Sequence, residues 1–284
     1  MLLQQIINGL ASGGIYTLVA LGLTLVYGVL KILHIAHAGI YALGAYMALI
    51  AYKIYPNIYF AFFFAMVSTA LAGYLVQKYL YWPIIDQPRI VPLIASIGLF
   101  LALEELYRLI WGPYVIPFPQ KFHWKTYTIG KIRLPGADLF VFALSLIFLA
   151  ILYWIVNRTR IGLAMRAVAD DKEVAEASGI NSKWTIALSF IIGSALAGAA
   201  GLMVGVYYNS IYPTMGDVPA YKSLAVIVVG GMGSIEGTVV AGFGLGLLEA
   251  LLLGFLPFAF PRDALAFIAM IIFLLIKPEG LFGR

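Results

Sequence analysis

The chain has 284 residues, of which 63% are hydrophobic and 11% are charged, and its formal net charge at pH 7 is +5. A soluble domain has about 25% charged residues, so this composition excludes a soluble globular protein and indicates an integral membrane protein. The lack of cysteine excludes disulfides, thiolate metal sites and cysteine nucleophiles. A small positive surplus is ordinary for membrane-flanking loops and gives no reason to expect nucleic-acid binding.

Long runs without Asp, Glu, Lys or Arg fill most of the sequence and predict membrane-spanning helices. Most are close to or above the roughly 18–20 residues that cross the hydrocarbon core, and none alternates as the strands of a membrane β-barrel do. The first residues lack the basic segment of a signal peptide, so the first run is predicted to be retained. The predicted spans are about 6–30, 33–52, 57–78, 90–111, 137–157 and 184–208.

The last third of the chain does not divide clearly into full-length membrane spans. Residues 223–235 form an uncharged run that ends in the glycine cluster 230–234, and apolar runs follow at 237–256 and 263–276. Two short apolar pieces around glycines predict a broken or re-entrant segment, which is tolerated at membrane depth only inside protein or beside a water-filled path. The fold prediction is an all-α integral membrane protein, a polytopic bundle of about eight transmembrane helices plus this short segment.

Loop charges favour an external amino terminus, because this leaves more lysine and arginine on the inner side than on the outer side. Residues 112–136, rich in Pro, Tyr and Lys, are predicted to form a folded outer loop. Small residues recur every fourth position in several spans and let helix backbones approach in lipid. We expect them to pack helices within one subunit, with a subunit interface as the alternative; they are Gly9 and Gly13, Gly193, Ala197, Gly201 and Gly205, and Gly242 and Gly246.

The sequence contains no nucleotide-binding motif. No glycine-lysine phosphate loop is present, and Gly231-Met232-Gly233 fails the dinucleotide fingerprint because Glu236 stands where the last glycine belongs. These glycines are interpreted either as a helix break that lines a path or as sites of close packing. His34 and His37, three residues apart, would share a helix face. No carboxylate or cysteine lies nearby to complete a metal site, so an interfacial or helix-break position is expected.

Glu249 lies inside an apolar run, where a carboxylate is costly and must face the bundle interior, a partner or water. It is interpreted as part of a path or gate, or as a structural hydrogen-bonding group between helices. Glu104 and Arg108 are four residues apart toward the end of the fourth predicted span, and this spacing predicts an ion pair.

One charged stretch, residues 158–183, interrupts the apolar sequence. Within it, 168–178 is predicted to form a short amphipathic helix that Gly179 ends, and Asn181 or Ser182 is predicted to cap the next span. The segment is either a surface helix that transmits force from a partner or a solvated connector.

Several short motifs stand out along the chain: Asn8-Gly9-Leu10 to Tyr27-Gly28, Ile35-Ala36-His37 to Tyr46, Arg166-Ala-Val-Ala-Asp-Asp with Gly179-Ile-Asn181, Gly230-Gly231-Met-Gly233-Ser234-Ile-Glu-Gly237, and Lys277-Pro-Glu-Gly-Leu-Phe282. Together they resemble the permease subunits of ABC importers for branched-chain amino acids, the shorter of the two permease types. The resemblance covers nearly the whole chain.

The resemblance implies one permease domain over residues 1–284, with a cytoplasmic coupling loop at about 158–183, an outer loop at about 112–136 and a path at a permease–permease interface. It implies ABC ATPase subunits, a second permease (a homologous chain or a second copy), an extracytoplasmic solute-binding protein and lipid as partners. The chain would be a multi-pass protein of a prokaryotic inner membrane, without enzymatic activity or a bound cofactor, since ATP and Mg²⁺ belong to the ATPase.

Residues are assigned to two roles on this basis. The coupling residues toward the ATPase are Arg166, Asp170, Asp171, Glu176, Gly179 and Asn181, and the candidate pathway residues are His34, His37, Gly231, Gly233 and Glu249. An ion-coupled secondary transporter is the main alternative, and it would need carboxylates near mid-membrane. A permease for another small solute, such as urea or amides, and a membrane scaffold without transport activity also remain open.

Overall fold

The computed structural model describes residues 2–119, 126–129, 132–255 and 262–282. Its helices are α1 Leu2–Leu30, α2 His37–Ile54, α3 Ile58–Val76, α4 Ile90–Trp111, α5 Gly136–Arg158, α6 Arg160–Asp170, α7 Lys172–Ala177, α8 Ser182–Tyr207, α9 Asp217–Gly230, α10 Ile235–Phe255 and α11 Arg262–Ile276. A π-helical turn, Gln77–Tyr81, and a 3₁₀ turn, Trp82–Ile84, extend α3, and a 3₁₀ turn, Pro213–Gly216, precedes α9.

The uncharged runs locate the long helices well. The prediction for 90–111 coincides with α4, and those for α5 and α8 differ from the observed ends by at most two residues. Within the described ranges, six helices are long and apolar enough to cross a membrane: α1, α3 with its extension, α4, α5, α8 and α10. The predicted count of about eight is not confirmed, because α9 and α11 have only 14 and 15 residues and α2 is rich in tyrosine.

Helices α1 and α10 form an antiparallel pair along a seam of small residues. A Cβ atom on Gly246 would overlap the backbone of Gly13, and the Thr24 and Thr238 hydroxyls lie 2.8 Å apart further along the seam. On α8, Gly193 meets the backbone of Gly22 in α1, and Gly201 meets the carbonyl of Tyr41 in α2. The small-residue stripes therefore pack helices within this chain, as the first of the two interpretations predicts.

Helix α2 starts later than predicted, at His37 instead of residue 33. The Lys31 N–H still bonds the Tyr27 carbonyl at 2.7 Å, with a φ of 55° at Lys31, and residues 31–34 are not helical. The Ser96 hydroxyl of α4 accepts the Ala36 N–H at 2.9 Å. Buried backbone groups need such partners, and this one from another helix allows the chain to leave α1 before α2 begins.

The predicted broken segment is present as a short helix and a glycine turn. Helix α9 would be roughly 21 Å long, less than the hydrocarbon core of about 30 Å. It ends at Gly230, and Gly231 and Gly233 follow with φ values of 106° and 89°, a conformation that favours glycine. Residues near the carboxyl end complete this turn, because the N–H of Leu281 donates to Val229 O and that of Phe282 to Gly230 O.

The segment predicted as a folded outer loop contains a small hairpin. Strand β1, Tyr127–Ile129, pairs antiparallel with β2, Ile132–Leu134, in the register Tyr127↔Leu134. Residues 120–125, 130 and 131 of this loop lie outside the described residues. On α4, Arg108 lies 3.6 Å from Glu104, the predicted partner, and 2.6 Å from Glu105. The bundle is otherwise helical across the described ranges, so the all-α prediction is confirmed.

Candidate functional site

A cavity of about 370 Å³ opens between α1, α2, α8, α9, α11 and the segment that joins α8 to α9. Its lining combines aliphatic side chains with hydroxyl groups and two charged groups. Such a volume is within the usual range for small-molecule sites. Its lining consists of Ser12, Ile15, Tyr16, Val19, Tyr41, Val204, Tyr208, Ser210, Tyr212, Met215, Val218, Pro219, Lys222, Ser223 and Asp263.

An ionic cluster, formed by the charged groups of Lys222, Glu249 and Asp263 with the hydroxyl of Tyr16, borders this cavity. Lys222 Nζ lies 2.8 Å from Glu249 Oε1 and 3.3 Å from Asp263 Oδ1. The Tyr16 hydroxyl donates to Glu249 Oε2 at 2.9 Å and accepts from Lys222 Nζ at 3.0 Å. Three helices, α9, α10 and α11, each supply one charged side chain, and α1 supplies the tyrosine.

The ionic cluster explains how charged side chains are tolerated inside an apolar bundle. Lys222 is 2% exposed and Glu249 is 3% exposed, and a lone ion at such a position would be strongly unfavourable. Opposite charges in contact offset much of that desolvation, and the tyrosine hydroxyl satisfies the second carboxylate oxygen. Glu249, which the sequence singled out, thus belongs to a structured ionic group beside the cavity.

The sequence analysis missed Lys222. Lys222 directly precedes the uncharged run that starts at residue 223, and a cation at the edge of such a run does not stand out. The helix continues through it, because α9 begins at Asp217, five residues earlier. The signal that could have predicted the pair was the presence of opposite charges, Lys222 and Glu249, in two consecutive apolar helices.

The two histidines form a separate buried group. His34 Nδ1 lies 2.7 Å from the Tyr81 hydroxyl, and the rings of His34 and His37 are 5.8 Å apart. The expectation of a shared helix face is wrong, because His34 lies in the non-helical segment before α2. A small recess lined by both histidines and by Ser223 adjoins them, and Ser223 also lines the main cavity. Among the described residues, no group of three or more acidic or histidine side chains is placed to hold a metal.

Gly231 and Gly233 do not line the cavity. They form the turn between α9 and α10, where a Cβ on Gly233 would lie 3.5 Å from Gly28 of α1. A Cβ on Gly280 would meet the backbone of Gly231, so the carboxyl-terminal residues press against the same turn. Of the two interpretations given to these glycines, close packing agrees with this arrangement.

The charged stretch forms two helices instead of one. The predicted helix over 168–178 is interrupted at Asp171, which has an extended backbone and separates α6 from α7. The Asp171 carboxylate accepts the N–H groups of Glu173 and Val174 at 2.9 and 3.0 Å, and this cap starts a new helix. Within α7, Ala175 is buried while the neighbouring Val174 is 62% exposed.

Each of the six coupling residues has a defined position. Gly179, with a φ of 84°, ends α7, and the Asn181 side chain accepts the Trp184 N–H at 3.0 Å to begin α8, both as predicted. Arg166 donates to the Val156 carbonyl at the end of α5 and so ties α6 to that helix. Asp170 and Glu176 are exposed.

The ring of Trp82, in the 3₁₀ turn that extends α3, joins α7 to the start of α8. The ammonium groups of Lys183 and Lys172 lie 4.8 and 5.9 Å from the centre of the Trp82 ring, within the range of cation–π attraction. Buried Met165 and Val168 of α6 and Ala175 of α7 pack against α1 and α8. The charged surface is therefore fixed to the membrane helices at several points.

The arrangement of helices is similar to that of chains in two solved structures. A chain of PsaBC from Streptococcus pneumoniae, solved with a Fab, is similar to this one with a TM-score of 0.53 and 12% identity, covering 97% of this chain and 92% of that chain. An inward-facing metal-chelate type ABC transporter gives a TM-score of 0.51 and 18% identity, covering 96% and 85%. At these identities the similarity concerns the fold alone.

The amino-acid sequence identifies the family more closely. Residues 5–276 match the family model described as branched-chain amino acid transport system, permease component, and the chain belongs to this family. It is 32% identical to the high-affinity branched-chain amino acid transport system permease protein BraD of Pseudomonas aeruginosa, over 99% of this chain and 96% of BraD. It is 31% identical to LivH of Escherichia coli K12, with the same coverage, and 30% identical to LivH of Methanocaldococcus jannaschii, over 99% and 92%.

Membership in this family confirms the resemblance found in the sequence. The chain is a multi-pass membrane protein and a permease component of a transport system, and its relatives are transport subunits, not enzymes.

Proposed function

We propose that this chain is the membrane subunit of an ATP-driven importer and forms the path for branched-chain, hydrophobic amino acids. The observation that carries the proposal is the full-length relationship to permeases named for the transport of these solutes. In this proposal residues 1–284 form one permease domain with the coupling loop at 158–183 and the outer loop at 112–136. The domain would lie in the inner membrane of a prokaryote.

The cavity supports this class of solute. Aliphatic side chains of α1, α8 and α9, including Ile15, Val204 and Val218, line it together with Lys222 and Asp263 of the ionic cluster. An amino acid with a branched aliphatic side chain likewise combines an apolar body with a charged head. Urea and small amides lack the apolar body, so the aliphatic wall offers them little.

The proposal places ATP hydrolysis on a separate subunit, because the sequence has no phosphate-binding loop. ATP and Mg²⁺ would bind that ATPase, and this chain would hold no cofactor. The surface of α6 and α7 suits docking, since exposed Leu163 and Val174 stand among charged side chains and an interface commonly combines an apolar centre with a polar rim. A closing motion of the ATPase would bias the membrane helices between outward and inward states.

The other proposed partners are a second permease subunit, a solute-binding protein on the outer side, and membrane lipid. The first experiment is affinity purification of the tagged chain from its native membrane in mild detergent with lipid retained, followed by mass spectrometry. We expect an ATPase and a second permease to copurify, and the result also tells whether the permease pair consists of two copies or of two different chains.

Recovery of the chain alone would favour a secondary transporter. The structure gives one reason against that alternative. Its coupling carboxylate would have to bind and release an ion, whereas Glu249 is held by Lys222 and Tyr16. Uptake by the reconstituted chain that is driven by an ion gradient, needs no ATP and is lost in Glu249→Gln would overturn the importer.

A further inference from the structure

We infer that the cavity binds the head group of an amino acid through Asp263 and Lys222. When the ligand binds, Asp263 gives up its ion pair with Lys222 and pairs with the ligand ammonium, and Lys222 pairs with the ligand carboxylate. This inference rests on the proposed function and deepens it by assigning residues to the head group of the solute. It concerns three side chains of one ionic cluster, and two of them line the cavity.

The two carboxylates of the cluster are held differently. Glu249 is buried, lies 2.8 Å from Lys222 Nζ and accepts a hydrogen bond from Tyr16. Asp263 has a side chain that is 48% exposed, lies 3.3 Å from Lys222 Nζ and borders the cavity. Rearranging Glu249 would leave a buried charge without its partner, which is costly. Asp263 is therefore the carboxylate that can change partners.

The charge balance specifies what Asp263 can accept. Among the described side chains of the cluster, one ammonium, on Lys222, faces two carboxylates, which leaves a formal excess of one negative charge. A ligand ammonium adjacent to Asp263 offsets that excess, and the donor that Lys222 releases becomes available to a ligand carboxylate. One ion pair is replaced by two, with no bond made or broken. An acid without an ammonium group would instead add a third negative charge.

The rest of the cavity fits the remaining parts of such a ligand. Ile15, Val19 and Met215 provide apolar contacts for a branched side chain, and Ser210 also lines the cavity. The site therefore favours zwitterions with an apolar side chain over neutral amides and over fatty acids.

The test uses a single introduced thiol. The chain has no cysteine, so Ser210→Cys places one reactive group in the cavity wall, and its labelling by a maleimide in membranes with the complete transporter reports occupancy. Leucine should slow labelling. 4-Methylvalerate, which lacks the ammonium, should need at least about tenfold higher concentration, since hydrogen bonds to charged groups have this magnitude. Leucinamide, which lacks the carboxylate, should protect less than leucine but more than 4-methylvalerate.

Variants in the same background identify the residue. Asp263→Asn should weaken protection by leucine at least about tenfold, Asp263→Glu should restore part of it, and Asp217→Asn, a carboxylate outside the cavity lining, should leave it unchanged. An unaltered labelling rate without ligand shows that the fold is retained. Equal protection by leucine and 4-methylvalerate, or full protection in Asp263→Asn, would overturn the inference.

The two proposals can fail separately. If leucine does not slow labelling while the same transporter takes up leucine at the expense of ATP, the head-group site is wrong and the import function stands. If the transporter takes up no branched-chain amino acid, the proposed function fails as well.

Discussion

At the scale of single residues, Lys222 and Glu249 form an ion pair that is buried inside the bundle. Such a pair adds little stability compared with apolar side chains of similar size, but each member depends strongly on the other. Removing one partner leaves an ion in an environment that cannot solvate it.

We predict that Lys222→Met lowers the stability of the purified protein by about 3 kcal/mol, the lower part of the range for breaking a buried pair. The methionine keeps the length of the side chain and removes its charge, so that Glu249 faces Asp263 without a cation between them. Thermal unfolding in detergent measures the change as a lower melting temperature.

The double variant Lys222→Met with Glu249→Leu is the matched control. It removes both charges, and we expect it to recover most of the lost stability, because neither ion remains buried and unpaired. A double variant no more stable than Lys222→Met would show that the two side chains do not act as a pair.

Sequence reasoning found one half of this pair. A carboxylate inside an apolar run is conspicuous, and Glu249 was recognised for that reason. Lys222 was taken for the boundary of a run, since a cation next to a membrane segment is common. The contact joins residues 27 positions apart in different helices, and such pairing depends on how the helices cross, which the pattern of either helix alone does not specify.

At the scale of helices, α1 and α10 approach most closely where both carry glycine. We predict that Gly246→Ala destabilises the protein by about 1–3 kcal/mol, the usual range for overpacking. The added methyl group would meet the backbone of Gly13 and of Gly9, and a backbone cannot move aside as a flexible side chain does.

Gly244→Ala, two residues earlier on α10, provides the comparison. An added Cβ there has no atom within 4 Å, and alanine favours a helix over glycine by about 1 kcal/mol. We expect this variant to be as stable as the parent or slightly more so. Equal losses in the two variants would argue that helix propensity or folding in the membrane, and not the α1–α10 contact, decides the outcome.

The coupling helices permit a test of function. We predict that replacing Glu176 and Gly179 together by alanine uncouples ATP hydrolysis from uptake while the protein still inserts in the membrane. Gly179 has a left-handed conformation that costs other residues roughly 1–2 kcal/mol, so the end of α7 would shift. Uptake and ATPase activity are measured in proteoliposomes with the complete transporter.

Glu173→Ala serves as the control for charge, because Glu173 is exposed on the same short helix. It should transport as the parent does. Normal ATPase docking and uptake in the double variant would refute the coupling role of this segment.

The ends of these elements show what sequence can and cannot determine. The positions of α4, α5 and α8 follow from hydrophobic length, because the hydrocarbon core sets it. The division between α6 and α7 follows from a side-chain cap at Asp171, and two adjacent aspartates were a signal that could have suggested it. The delayed start of α2 depends on Ser96 in another helix, and no local pattern shows that.

At the scale of the whole molecule, the cavity combines a small ionic cluster with an otherwise apolar bundle. The ionic contacts of this cluster would serve the head group that all amino acids share, so most of the selectivity among them should come from the proposed solute-binding protein. We predict that the purified permease binds leucine more weakly than micromolar, as measured by calorimetry. Micromolar binding by the permease alone would contradict this view and would move the selectivity into the membrane.

The ring of Trp82, which lies near the ammonium groups of Lys172 and Lys183, also gives the protein an intrinsic fluorescent probe. Indole fluorescence responds to nearby ammonium groups, and these two belong to the segment that should move when an ATPase engages it. The chain has five tryptophans. A variant in which Trp82 alone remains would show changes in emission when α7 moves relative to the end of α3, without any attached dye.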